Sequence, residues 1–324
     1  MRTTRLGPFD HISRLTLGGA GLGEVWGATD REEALATITE ALAAGINLID
    51  AAPRYRNCEA VIGEAFAGRL PDGVRITTKC GLGAPERGTV ASLLEASLDA
   101  SLSAMRLDRV DVFFLHNFLA DSEAAFRFDD ALREQHVTPW TQYVEEVVPA
   151  FEDLKARGRI GAWGITGVGV PSTILKALRH EVRPDVVQAI SNLMDSPGGM
   201  RAYLEAPRPR DIIREAAANG VGVMGIRAVQ AGALTSAIDR PLKDTHPEMR
   251  DYRAAASFRA LCAEIGEEPA SVAHRYALSM PGVDTVVLGV KNRQELAQCV
   301  TAEAQNPIDS TLLARIDALG LANG

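Results

Sequence analysis

The sequence has little of what marks several large classes of protein. Only four cysteines occur in 324 residues, and no two form a CxxC pair, which argues against a disulfide framework or a structural zinc site. No run approaches the roughly 18 apolar residues of a transmembrane helix, and the first residues lack the apolar core of a secretory signal. We therefore expect a protein of a reducing compartment, the cytoplasm.

Excess positive charge is also missing. Thirty-four basic and 42 acidic residues give a net charge of −8, which argues against a nucleic-acid binder and leaves room only for a local basic pocket. The six histidines form no pair at metal-ligand spacing, so we expect no metal. With 46% hydrophobic residues the chain is globular, and we expect a small-molecule substrate and a monomer or small homo-oligomer, away from membranes.

Eight short apolar runs, rich in Val and Ile, alternate with longer stretches of helical pattern. Their lack of polar alternation is typical of parallel strands buried on both faces. Eight such units predict an α/β fold, a (β/α)8 TIM barrel with an N-terminal extension, forming one domain over residues 1–324; a doubly wound open sheet is the alternative. The runs are Leu15–Gly18, Ile46–Asp50, Val74–Lys79, Val110–His116, Ile160–Ile165, Asp185–Ile190, Val221–Ile226 and Asp284–Gly289.

Two of the intervals between strands are unusually long. Both begin after the C-terminal end of a strand, where barrel enzymes build their active sites. We therefore expect substrate loops around Asn117–Pro139 and Gln230–Met249. The first crossover helix is predicted over Arg31–Ala44, with Asp30 as its N-cap and Gly45 just beyond its end.

Ionisable side chains stand at the C-terminal ends of three consecutive predicted strands. The strands end at Asp50, Lys79 and His116, and Tyr55 follows the first of them by five residues. These ends converge in a barrel, so the four groups can meet although they are distant in sequence. Taken singly, each has a structural explanation: a turn cap, a packed aromatic ring, a surface charge and a core histidine.

Together the four groups suit proton delivery to a carbonyl oxygen. A tyrosine hydroxyl has an ordinary pKa of about 10, which a nearby lysine ammonium would lower by favouring the phenolate. A carboxylate would keep the lysine charged and oriented, and a histidine opposite could donate a hydrogen bond to the carbonyl. The set therefore predicts exchange of a proton at oxygen while a hydride reaches or leaves carbon.

Several segments together resemble the aldo-keto reductase family, and the resemblance extends over nearly the whole chain. The residues that match the family's catalytic tetrad are Asp50, Tyr55, Lys79 and His116. The resemblance implies a (β/α)8 barrel in which Tyr55 is the general acid/base, Lys79 lowers its pKa and His116 orients the carbonyl. The segments are LTLGGAGLG, GINLIDAAPRYRNCEAVIGEAF, ITTKCGL, VDVFFLH and PGVDTVVLGVKNRQELAQ.

The resemblance also implies an NAD(P) site. Gln188 matches the residue that hydrogen-bonds the nicotinamide amide, and Thr166 matches the hydroxyl residue beside it. The family usually has asparagine next, where this chain has Gly167. Ile226 stands where many members stack an aromatic ring, and Arg227 is placed to bind the pyrophosphate. Further cofactor contacts are implied at Gly19, Ala20, Asp50, Gly289, Lys291, Arg293 and Glu295.

The last loop of this site departs from the family pattern, so NADP(H) and NAD(H) both stay open. Many NADPH-dependent members have arginine or glutamine where this chain has Glu295, an acid that would repel a 2′-phosphate. Lys291 and Arg293 argue the other way, and their two charges favour NADP(H) slightly. They also precede a helix, whose N-terminus is a natural anion site.

The substrate is less well indicated. Segments GITG and AVQAGALT resemble members that oxidise sugars at C1 or handle small hydroxy-carbonyl compounds. Tyr55, His116 and Trp26 are the candidate substrate contacts, although Trp26 could instead plug the base of the barrel. Trp140 lies over the site or pins the following helix. Two other functions stay open: a Schiff-base lyase that uses Lys79 as nucleophile, and a cofactor-binding regulatory subunit with a protein partner.

Overall fold

The computed structural model describes residues 1–305 and 307–323, and eight parallel strands form a closed barrel at its centre. Around the barrel the strands follow chain order, which confirms the (β/α)8 prediction. The strands of the barrel are β3 (Leu15–Gly18), β4 (Leu48–Asp50), β5 (Arg75–Cys80), β6 (Val110–Leu115), β9 (Ile160–Thr166), β10 (Val186–Ile190), β11 (Gly222–Ile226) and β12 (Thr285–Leu288). The other strands are β1 (Thr3–Leu6), β2 (Phe9–Ser13), β7 (Phe118–Ala120) and β8 (Val137–Pro139).

Helices surround the barrel and cover the outer face of its strands. Pro171, Pro209, Pro247 and Pro269 each begin one, at the position where a missing N–H costs least. The α-helices are α1 (Gly19–Leu22), α2 (Arg31–Ala43), α3 (Cys58–Phe66), α4 (Val90–Met105), α5 (Asp130–His136), α6 (Trp140–Gln142), α7 (Val148–Ala156), α8 (Pro171–Arg179), α9 (Pro209–Ala218), α10 (Pro247–Ala254), α11 (Ala256–Ile265), α12 (Pro269–Ser279), α13 (Arg293–Ala304) and α14 (Ser310–Asp317). A π-helical turn, Tyr143–Val147, joins α6 to α7, and 3₁₀ turns cover Gly198–Met200, Gln230–Gly232 and Leu321–Asn323.

The N-terminal extension is a hairpin of β1 and β2 that closes the bottom of the barrel. Its Leu6 and Ile12 are fully buried and join the inward-facing barrel residues Leu48 and Phe114 in one apolar cluster. The hairpin comes so close to β11 that a Cβ on Gly222 would lie 2.4 Å from the Gly7 nitrogen. The bottom is filled by side chains, and the large cleft lies at the C-terminal ends of the strands.

The local signals in the sequence hold at the first crossover helix. The Asp30 side chain accepts a hydrogen bond from the Glu33 N–H at 2.7 Å, and Gly45 has φ +86° beyond the helix end. Strand β4 starts two residues later than expected. The Asn47 N–H, which a longer strand would pair with its neighbour, donates to Ser13 Oγ at 3.0 Å, and the Asn47 side chain bonds to the Ser13 N–H and the His11 carbonyl.

The two long intervals hold structure of their own. In the first, β7 and β8 pair in parallel, with α5 between them. In the second, two helices, α10 and α11, precede α12. In the described part of the chain, no helix combines the length and apolar character needed to span a membrane.

Candidate active site

The four ionisable residues at the strand ends meet at the C-terminal mouth of the barrel. Asp50 ends β4, Lys79 is the second-last residue of β5, and His116 directly follows β6. Tyr55 lies in the loop after β4, with its ring centre 6.0 Å from that of His116 in an edge-on arrangement. Lys79 Nζ lies 4.7 Å from the centre of the Tyr55 ring.

Lys79 is a fully buried cation with a carboxylate partner. Its Nζ donates to Asp50 Oδ1 at 2.7 Å and to the Ala51 carbonyl at 2.8 Å. Burial disfavours the ammonium, but the Asp50 carboxylate and the Tyr55 oxygen outweigh it, and the pKa of Lys79 is raised. The side chain therefore stays charged at neutral pH.

Asp50 is the hub that orients its neighbours. Its Oδ1 accepts from Thr77 Oγ1 at 2.6 Å and from Gln188 Nε2 at 2.8 Å, in addition to Lys79. Three donors on one oxygen hold the buried carboxylate in one orientation. Gln188 comes from β10, on the opposite side of the barrel from β4, so its hydrogen bond to Asp50 connects the two sides of the mouth.

Tyr55 and His116 are both held in their neutral forms. Burial raises the pKa of the Tyr55 hydroxyl, and the Lys79 charge acts in the opposite direction without cancelling it. Burial, followed by the charges of Lys79 and Arg54, holds the pKa of His116 well below its usual range. A neutral imidazole carries one N–H, and a protonated tyrosine carries the proton that a carbonyl oxygen would need.

Above the tetrad lies a cleft of about 1190 Å3, larger than most single-ligand pockets. Its walls include both expected long loops, through Asn117, Phe118 and His136 on one side and the stretch Thr235–Ala237 on the other. Most of the residues expected to contact a cofactor or substrate line it: Ala20, Trp26, Asp50, Tyr55, His116, Thr166, Gln188, Ile226, Arg227, Gly289, Lys291 and Glu295.

Two of the expected cofactor contacts lie outside this cleft. Gly19 packs so closely against Cys58 that a Cβ on Gly19 would lie 2.2 Å from Cys58 Sγ. Arg293 is turned to the outside, where Nη2 lies 2.9 Å from Glu33 Oε2. Neither residue therefore lines the cleft in this structure, and their roles as cofactor contacts stay predictions.

The expected anion site at the start of α13 is already filled by carboxylates of the protein itself. Glu33 accepts from the Arg293 N–H at 2.8 Å, and Glu295 accepts from the Lys291 N–H at 2.9 Å. Lys291 Nζ pairs with Asp239 and lies 3.3 Å from Glu295 Oε1. Neither cation that favoured NADP(H) in the sequence is free of an acidic partner.

Arg227 lines the cleft but is also engaged. Its Nη2 lies 2.8 Å from Glu248 Oε1 and its Nε donates to Gln230 Oε1 at 2.9 Å, with both charged groups nearly buried. The backbone of Arg227 is in the left-handed region, at φ +60°. Its guanidinium therefore connects the end of β11 to α10, and a pyrophosphate would have to share it with Glu248.

Sequence reasoning missed several residues of the cleft wall. Arg54 and Val168 follow strand ends, which is the signal that could have found them, whereas Met200 and Asp239 lie far from any strand end. Trp26 lies at the mouth, with its Nε1 about 3.4 Å from the Cβ position of Gly289, so it does not plug the barrel base.

Trp140 packs away from the cleft and anchors its helix. Lys176 Nζ lies 4.2 Å from its ring centre, and His180 meets it edge-on at 5.9 Å. Among the residues that the structure describes, no three His, Cys, Asp or Glu side chains are grouped as a metal site would require.

Comparison with known proteins identifies the family. Residues 14–320 match the Aldo/keto reductase family, and the chain belongs to it. It is 25% identical to L-galactose dehydrogenase of Arabidopsis thaliana, over 95% of this chain and 90% of the relative. It is 28% identical to the NADH-specific methylglyoxal reductase of Escherichia coli, over 74% and 71% of the two chains.

Solved structures show the same fold. The glycerol dehydrogenase of Gluconobacter oxydans superposes with a TM-score of 0.71 at 22% identity, over 98% of this chain and 94% of the other. Members of the family use NAD(P)H, and the protein is an oxidoreductase.

Proposed function

We propose that the protein interconverts a carbonyl and an alcohol or sugar hydroxyl by direct hydride transfer, with Tyr55 as general acid/base. The observation that carries this proposal is the convergence of Asp50, Tyr55, Lys79 and His116 under one large cleft. The family match over residues 14–320 supports treating the chain as a single catalytic domain.

The walls of the cleft fit a nicotinamide cofactor. Gln188 Nε2 is bonded to Asp50, which leaves its Oε1 as an acceptor for an amide, and Thr166 stands beside it. Ile226 offers an apolar surface for a ring, and at Gly289 the absent side chain leaves room beside Trp26. When bound, such a cofactor supplies a hydride to the carbonyl carbon in reduction and accepts one in oxidation.

The residues of the chain handle the proton. In reduction, the Tyr55 hydroxyl gives its proton to the carbonyl oxygen as the carbon gains a hydride, and the Lys79 ammonium stabilises the phenolate that remains. The neutral His116 donates a hydrogen bond to the same oxygen and orients it. Asp50 keeps Lys79 charged and in place. In oxidation Tyr55 takes the proton back, so the balance is the same in both directions.

A Schiff base on Lys79 fits the structure less well. A nucleophilic lysine must be neutral and reach its substrate, whereas the Lys79 ammonium is fully buried and its pKa is raised. A regulatory role with a protein partner has no specific contact in its favour.

We further propose that NAD(H) is the preferred cofactor, against the slight balance for NADP(H) in the sequence. The resemblance puts the ribose 2′ position beside Glu295. That carboxylate accepts a hydrogen bond from the Lys291 N–H and lies near the Lys291 ammonium, which also pairs with Asp239. A 2′-phosphate would meet an acid in place of free cations, whereas a 2′-hydroxyl can donate to it.

The relatives support a small polar substrate. They include sugar dehydrogenases, such as the D-arabinose 1-dehydrogenase of Saccharomyces cerevisiae (27% identical, over 91% of this chain and 85% of the relative), and a methylglyoxal reductase. We propose small hydroxy-carbonyl compounds as the substrate class.

The proposal is tested with Tyr55→Phe and with Tyr143→Phe as the matched control. Tyr143 is fully buried outside the cleft, and its hydroxyl has no hydrogen-bond partner, so its loss is expected to be harmless. We expect Tyr55→Phe to lose turnover on a panel of aldehydes and aldoses while quenching of Trp26 fluorescence by NADH persists. Unchanged turnover in Tyr55→Phe would overturn the mechanism.

Cofactor preference is measured in the same titration. Wild type is expected to bind NADH more tightly than NADPH. Glu295→Gln is expected to bind NADPH more tightly than wild type does, which reduces the difference between the two dissociation constants. Glu264→Gln removes an exposed acid that pairs with Arg315 outside the cleft and serves as the control. Tighter binding of NADPH by wild type would contradict the NAD(H) proposal.

A further inference from the structure

Arg54 is a cation at the mouth of the cleft that the proposed proton transfer does not use. It directly precedes Tyr55, and its side chain forms part of the cleft wall. Within the residues that the structure describes, no carboxylate lies within 4.0 Å of its guanidinium, whereas Arg56, two residues further on, faces Glu24 at 4.0 Å. The charge of Arg54 is therefore available to something that enters the cleft.

The Arg54 guanidinium packs against a glycine. It lies flat against the backbone of Gly81, where a Cβ would come within 2.5 Å of Nη2, 2.8 Å of Cζ and 2.9 Å of Nε. Gly81 is the first residue after β5, two positions beyond Lys79. A side chain at Gly81 would displace the guanidinium, so this glycine leaves room for it beside the end of β5.

The groups around Arg54 leave a single positive charge at this end of the cleft. The two histidines that line it are neutral at neutral pH. Burial lowers the pKa of both; the charges of Lys79 and then Arg54 add to this at His116, and the Arg54 charge adds to it at His136. The Lys79 ammonium below is neutralised by Asp50. A single charge matches a carboxylate, whereas a phosphate ester carries close to two.

We propose that Arg54, with His136, forms a subsite for a carboxylate of the substrate. The preferred substrates are then carbonyl compounds that carry a carboxylate a few bonds from the reacting carbon. This inference rests on the proposed carbonyl chemistry and narrows its substrate class. The arginine fork can bind both carboxylate oxygens, and the His136 N–H adds a neutral donor.

The kinetic test compares an acid with a neutral substrate of the same length. We would measure kcat/KM for 4-oxobutanoate and for butanal in wild type, Arg54→Gln, Arg54→Lys and the control Arg56→Gln. Wild type is expected to prefer 4-oxobutanoate, and Arg54→Gln to reduce that preference about tenfold through KM. Arg54→Lys keeps the charge without the fork and is expected to lie between them, while Arg56→Gln resembles wild type.

A second pair of substrates separates carboxylate from phosphate. We would measure the ratio of kcat/KM for glyceraldehyde 3-phosphate to that for glyceraldehyde in the same variants. If Arg54→Gln reduces this ratio more than it reduces the ratio for 4-oxobutanoate to butanal, the carboxylate assignment is wrong. If wild type reduces both aldehydes without preferring 4-oxobutanoate, the subsite is also overturned. The same holds if the preference is unchanged in Arg54→Gln or is lost equally in Arg56→Gln.

A binding measurement keeps this inference separate from the proposed function. Isothermal titration calorimetry of 4-oxobutanoate with each variant needs no turnover. Binding that weakens about tenfold in Arg54→Gln and not in Arg56→Gln supports the subsite even if neither aldehyde is reduced, in which case only the proposed function fails. Absent binding, or equal binding to wild type and Arg54→Gln, overturns the subsite.

Discussion

Replacing Lys79 by methionine separates its role in stability from its role in proton transfer. The side chain is fully buried, and Nζ lies 2.7 Å from Asp50 Oδ1 and 2.8 Å from the Ala51 carbonyl oxygen. Methionine is an unbranched chain of similar length but carries no charge. The Asp50 carboxylate would then remain buried with only two neutral donors, Thr77 and Gln188.

The expected magnitudes follow from these contacts. Removing one partner of a buried ion pair costs roughly 3–5 kcal/mol, and the two remaining donors on Asp50 put the loss for Lys79→Met near the lower end. The Tyr55 phenolate also loses the cation that stabilises it. Because general acid–base catalysis contributes about 10²–10⁴-fold, we expect turnover to fall within that range at neutral pH.

The assay combines thermal melting with steady-state kinetics in a double-variant cycle. Asp50→Asn with Lys79→Met removes both charges and is expected to regain much of the stability that Lys79→Met loses, but none of the activity. Lys155→Met is the matched control: its ion pair with Asp185, at 2.8 Å, is partly exposed and should be worth about 1 kcal/mol or less. If Lys79→Met melts like Lys155→Met and keeps its turnover, the reasoning fails.

Two further predictions concern the barrel floor and a buried histidine. Ile12→Ala is expected to lower the free energy of unfolding by about 2–5 kcal/mol, because Ile12 is fully buried; a loss below about 1 kcal/mol in urea unfolding would show that the hairpin is not part of the core. Burial lowers the pKa of His274, although its bond to the Ala270 carbonyl opposes this. Below the ordinary histidine pKa of about 6.5, His274 therefore takes up a proton in the unfolded chain but stays neutral in the folded chain. The stability from His274 is then complete above that pH and lost below it, and His274→Leu should reduce the difference in melting temperature between about pH 7.5 and about pH 5.5; an unchanged difference would contradict this.

The barrel was predictable because its strands are buried on both faces. In the sequence, such strands are continuous apolar runs. An ionisable residue that interrupts the run indicates the end of the strand, as Asp50 and Lys79 do. An inward-facing side chain at the C-terminal end of a barrel strand lies at the mouth. The sequence therefore predicted which groups would meet without any information on distances.

The rest of the site depends on pairings between distant residues. Arg227 directly follows β11 and was expected to bind an anion, but Glu248 contacts it from α10, 21 residues further along. Lys291 is neutralised by Asp239, 52 residues away. Helix α10 is strongly polar, so no apolar periodicity announces it, and nothing local indicates which cations it or its neighbouring loop will neutralise.

The two ends of the cleft differ in how the chain treats its cations. At the end beside α13, Lys291 has Asp239 and Glu295 as partners, and Arg293 is drawn outside by Glu33. At the other end, Arg54 rests on Gly81 with no acid near it among the described residues. Among the described residues of the cleft, Arg54 is thus the cation without a carboxylate partner within 4.0 Å. Its charge is available to a ligand. The same distribution disfavours a 2′-phosphate at one end and favours a carboxylate at the other, so the NAD(H) preference and the Arg54 subsite have a common electrostatic origin.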